Sequence, residues 1–107
     1  MLLTPITPVH YPTLVGDRKI IVGSGSGPAS YNQTTGDVLS VQHYNIDAPL
    51  GGSESLSGNY AVVPRPVGIG NAQGWTLDWF ALPGWTRVAS STNLSAEQVQ
   101  LAVIAGT

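Results

Sequence analysis

The sequence predicts an all-β fold: a small antiparallel β-sandwich or barrel, jelly-roll-like, with an extended Pro-rich N-terminal arm. Two observations lead there. Short runs of β-branched and aromatic residues recur along the chain, each stopped by Gly or Pro, of which 107 residues contain 13 and 8. No segment carries a convincing apolar stripe at helical spacing. At 11.1 kDa and 42% apolar residues the chain can bury one modest core and has no room for a second domain. Residues 1–16 are read as the arm and residues 17–107 as a single β domain.

In the arm, Pro5, Pro8 and Pro12 interrupt Leu2, Leu3, Ile6, Val9, Tyr11, Leu14 and Val15. Each Pro lacks an N–H and drives its predecessor toward extended conformations, which excludes a helix. Fully stretched, such a segment reaches about 50 Å. It either packs on its own domain as an edge strand or lies on a neighbouring subunit. Leu2, Leu3, Ile6, Val9, Tyr11 and Leu14 are therefore candidate partner-binding residues.

Arg18 to Val22 reads as a strand ended by Gly23, and Gly23 to Gly36 as a flexible loop. Asp37 to Ile46 has strand composition, with Leu39, Val41 and His43 on one side and Val38, Ser40, Gln42 and Tyr44 on the other. Asp47 to Gly52 is turn chemistry, and Asn59 to Val63 is a short strand ended by Pro64-Arg65-Pro66. Trp75 to Leu82 is the clearest strand, with Trp75, Leu77, Trp79 and Ala81 facing one way. Pro83-Gly84 then turns the chain; with a strict two-residue loop Leu82 opposes Trp85, and Trp85 falls on the opposite face from Trp79, whereas a longer loop that slips the register by one residue puts both on the same face. Ser95 to Gln98 resembles a helix capping box, but Val99, Leu101 and Val103 alternate as a strand does. Too few residues remain for a stable helix, so a strand is expected.

Charge narrows the function. Arg18, Lys19, Arg65 and Arg87 are the whole basic complement and the net charge is −2, too little to neutralise a run of phosphates, so nucleic acid is not an expected partner. No apolar run approaches the ~20 residues of a membrane helix, and no basic region precedes Met1-Leu2-Leu3. Without Cys there is no disulfide, thiolate nucleophile or Cys-bound zinc. His10 and His43 lack metal-ligand spacing, and Asp17, Asp37, Asp47, Glu54, Asp78 and Glu97 are scattered singly. Gly23 to Gly27 lacks the Lys and Ser/Thr of a phosphate loop, and no G-x-S-x-G is present. The expectation is no catalytic site, no cofactor and no metal.

The tryptophans are the most informative chemistry. Trp75 and Trp79 suit a core, and Trp85 at a hairpin tip suits an anchor in a partner's pocket. A third arrangement, a sugar-stacking platform beside Asn71 and Asp78, would make a carbohydrate-binding module.

Several segments together resemble small virion proteins of tailed bacteriophages, of the capsid cement or decoration type. They are Gly16-Asp17-Arg18 opening Ile20-Ile21-Val22, Tyr31 with Thr35-Gly36-Asp37-x-Leu39, and Arg87 to Ser95 leading into Val99-x-Leu101-x-Val103-Ile104-Ala105-Gly106. The resemblance covers most of the chain after Val15, but neither the arm nor residues 65–74. It implies a non-enzymatic virion protein on the capsid surface, bound to the major capsid protein and to copies of itself. A trimer is expected, with a dimer as the alternative.

Overall fold

The computed structural model describes residues 1–6, 18–68 and 74–106. It is an all-β sandwich in which one sheet curls almost into a barrel. Among the described residues there are ten strands and no helix. The first sheet runs β4 (Ser40–Val41), β1 (Leu2–Pro5), β2 (Lys19–Ser26), β10 (Gln98–Gly106), β5 (Asn45–Pro49). The second runs β3 (Asp37–Val38), β8 (Gly74–Ala81), β7 (Tyr60–Val67), β6 (Ser53–Glu54), with β9 (Thr86–Arg87) also on β8. All pairs are antiparallel except β1 with β4.

The spine of the first sheet is β10, strand rather than helix, as its alternation predicts. Val99, Leu101, Val103 and Ala105 are buried, while Gln98 and Gln100 are exposed. It pairs with β2 from Gln98↔Ser26 to Ala105↔Lys19. That register carries β2 through Gly23 to Ser26, where a flexible loop was expected. The two glycines make the strand fit: a Cβ at Gly23 would lie 2.7 Å from the Leu3 Cβ, and one at Gly25 would lie 2.7 Å from the Met1 Cγ. Small residues on β2 thus leave room for large ones on β1.

Of the two placements read for the first residues, residues 2–5 take the one on their own domain. Leu2–Pro5 is an interior strand held between β2 and β4, not an edge, and Leu3 is 0% exposed. The Met1 amino group reaches Asp37 and the Val38 carbonyl. Val9, Tyr11 and Leu14 lie outside the described residues.

The expected strand over Asp37 to Ile46 is divided between the sheets. Asp37 and Val38 pair with β8, Ser40 and Val41 pair with β1, and His43, at φ 70°, turns the chain into β5. Its alternation holds as far as Val41, since Leu39 and Val41 are buried and Val38 is exposed. The expected turn at 47–52 begins later, because Asp47 to Pro49 belong to β5.

Pro64 and Pro66 do not end β7, which pairs with β8 as far as Val67↔Gly74. Tyr60 turns its N–H and carbonyl toward Ser55, on the β6 side. Residues 64 and 66 share that direction, where β6 has already ended, so their missing N–H groups cost no ladder bond.

Between the sheets, Leu3, Ile21, Tyr31, Val62, Leu77, Trp79, Leu94, Val99 and Val103 form the core. Trp79 is fixed at every polar atom that matters. Its Nε1 donates to Asp37 Oδ2 at 3.1 Å, its backbone N–H donates to the Tyr31 hydroxyl, and its carbonyl accepts from Val88 N. Tyr31 and Val88 fill the gap along β8 between β3 and β9.

Candidate functional site

The outer face of the first sheet follows from its registers. On β2 and β10, Ile20 opposes Ile104, Val22 opposes Ala102, and Ser24 opposes Gln100, all on the side away from the core. Ala48 on β5 opposes Ile104, and Thr4 on β1 opposes Ser24. Leu2 shares the direction of Thr4 and is 54% exposed; Ile6 continues it, its N–H bonded to Val22. Leu50, bonded through its N–H to Ala102, extends the same surface. None of these facing positions carries a charge. The Arg18–Asp47 ion pair, 2.6 Å, closes one end.

The outer face of the second sheet is built differently. Its central row, from β6 to β9, reads Glu54, Ala61, Phe80, Arg87. Beside it, Asp78 accepts from Arg65 Nε at 2.9 Å and lies 3.4 Å from Arg87 Nη2. The hydrogen bond to Asp78, then its charge, raise the Arg65 guanidinium above its ordinary value. Thr76 is covered by the turn before β3, where its hydroxyl donates to the Thr35 carbonyl.

The three tryptophans part company. Trp79 is core, and Trp75 is half-buried against it, its Nε1 donating to the Asp47 carbonyl at 3.0 Å. Trp85 is 56% exposed and packs on Phe80 at 5.8 Å between ring centroids. Ala81 opposes Thr86, the register in which Leu82 opposes Trp85, and Trp85 stands on the face opposite Trp79. A common sugar-stacking platform of all three is therefore not formed. Asn71, its proposed polar neighbour, lies outside the described residues, and Asp78 is occupied by two arginines.

Two adjoining grooves flank Trp85. One, about 420 Å³, is lined by Glu54, Gly58, Asn59, Leu82, Pro83 and Trp85; the other, about 220 Å³, by Glu54, Ala61, Val63 and Trp85 among others. Comparison with family models, curated proteins and solved structures finds no match to this chain.

Of the predicted partner-binding residues, Leu2 and Ile6 lie on the first outer face and Trp85 on the second. Leu3 is corrected to a core residue, because its side chain fills the space that Gly23 leaves. Sequence reasoning missed Ile20, Val22, Ala102 and Ile104 as a half-buried outer row. The signal was present: a strand apolar on both sides must either be covered on both or expose one. It also missed Glu54, whose place beside Trp85 depends on a register across four strands. His43 is exposed in its turn, and His10 lies outside the described residues. Among the described residues no group of three His, Cys, Asp or Glu could hold a metal ion.

Proposed function

We propose that this chain is a non-enzymatic capsid cement protein of a tailed bacteriophage, which binds the major capsid protein shell and adds to its stability. What supports the reading, beside the sequence resemblance, is chiefly the uncharged aliphatic face formed by Ile20, Val22, Ala48, Leu50, Ala102 and Ile104. Ile20, Val22, Ala48, Ala102 and Ile104 are half-buried and Leu50 is exposed, and apolar surface left partly in water favours contact with another protein, since it gains by leaving water. Binding the assembled shell better than its dissociated subunits raises the shell's stability by linkage. Many equal copies on one shell add avidity if neighbours also touch.

The test is co-sedimentation of the purified protein with heads lacking it, followed by heating the shells. Wild-type protein is expected to bind and raise the temperature at which shells break. Ile104→Lys, which places a charge at the centre of the face, is expected to stay folded by circular dichroism and to lose at least tenfold in binding. Absence of wild-type binding, or full binding by folded Ile104→Lys, would overturn the reading.

A further inference from the structure

We infer that the corner between Trp85 and Glu54 is a receptor for an arginine side chain of a protein partner. The inference deepens the function proposed above, because the guanidinium would come from the protein to which this chain attaches.

Glu54 is set apart from the other described acids. Asp37 holds the Met1 amino group and Trp79, Asp47 holds Arg18, Asp78 holds Arg65 and Arg87, and Glu97 accepts from Ser57. The Glu54 side chain has no hydrogen bond or ion pair among the described residues, and it is exposed. It also lines both grooves beside Trp85. Ala61 lies between Glu54 and Phe80 in the cross-strand row, and its small side chain leaves the surface low between the carboxylate and the indole.

Trp85 is held there at some cost. Its φ of 56° is in the left-handed region, which a bulky side chain rarely adopts. Phe80 supports one part of the ring and the rest remains open. An indole face beside an unpaired carboxylate matches a guanidinium on two counts. The planar cation stacks on the ring, and its fork donates two hydrogen bonds to the carboxylate. A lysine ammonium supplies the charge and N–H donors but neither the planar stack nor the two-pronged fork. The chain's own Arg65 and Arg87 are already committed to Asp78.

The experiment follows the indole N–H signals of the full chain by ¹H–¹⁵N NMR while a short Gly-Arg repeat peptide is added. Lysine and glutamate versions of the peptide serve as comparisons. A saturable shift is expected at the Trp85 indole alone, with Trp79 unmoved as an internal check on the fold. Binding should weaken about fivefold or more in Glu54→Gln, be several-fold weaker for the lysine peptide, and be absent for the glutamate peptide. No shift with the arginine peptide, undiminished binding by Glu54→Gln, or equal binding of lysine and arginine peptides would overturn the inference. These outcomes do not depend on shells. A silent peptide titration with intact shell binding removes only this contact, and the reverse result removes only the capsid reading.

Discussion

The two outer faces of the sandwich solve the problem of being exposed in opposite ways. On the second sheet Asp78 is matched within the molecule by two arginines and Thr76 by a turn carbonyl, while Glu54 and the Trp85 ring stand clear at one corner. On the first sheet the facing pairs Ile20–Ile104 and Val22–Ala102 carry no charge and are half-buried. An ion cluster among half-exposed arginines adds little to stability, since water screens it. The aliphatic face adds cross-strand packing but leaves apolar surface in water. The second sheet thus satisfies its buried polar groups from within the chain, whereas the first presents a half-buried aliphatic row.

Substituting the side chains behind these faces should separate support from contact. The largest effect is expected at Trp79, which is 0% exposed and shared by both sheets. Trp79→Ala should cost about 3–5 kcal/mol in denaturant unfolding, from lost burial and the cavity left behind. It also deprives Asp37 of its indole partner. A loss below about 1 kcal/mol would show that the core closes without it.

Next comes the floor of the aliphatic face. Gly25→Val puts a branched side chain where a Cβ alone would lie 2.7 Å from the Met1 Cγ and 2.8 Å from the Leu2 carbonyl oxygen. Over-packing of this sort costs about 1–3 kcal/mol. It should also displace β1 and with it Leu2, lowering shell binding beyond the loss of stability. A stable Gly25→Val protein would mean that β1 can shift without disturbing the sheet.

These residues also mark what could be read in advance. The strands at Trp75 to Leu82 and Val99 to Ala105 are visible because their alternation is local and one face is buried. The extension of β2 through Gly23 to Ser26 was not, since a Gly-Ser run becomes strand only when Leu3 and Met1, some twenty residues earlier, supply the bulk it lacks. Pro64 and Pro66 read as terminators for the same reason: whether a missing N–H matters depends on which edge it faces. At the candidate site the place of Trp85 on the face opposite Trp79 was legible from a two-residue turn register, whereas Glu54 looks like any solvated acid until β6 is aligned with β7.

The smallest effect on stability is expected at Trp85, and it decides the comparison. Removing the ring forfeits its packing on Phe80, worth about 0.5–1.5 kcal/mol for an aromatic pair. Replacing it with Gly also relieves a left-handed backbone that a bulky residue adopts only at a cost of about 1–3 kcal/mol. The two terms oppose each other and are of similar size, so Trp85→Gly should leave the unfolding midpoint nearly unchanged. Trp85→Ala, which loses the ring and keeps the strain, should be the less stable of the two. If Trp85→Gly holds its stability while binding to shells and to the arginine peptide falls, the residue is retained for contact against the preference of the backbone. If instead Trp85→Gly is destabilised by more than about 2 kcal/mol, Trp85 supports the second sheet as Trp79 supports the core, and the contrast between the two faces fails at its most exposed point.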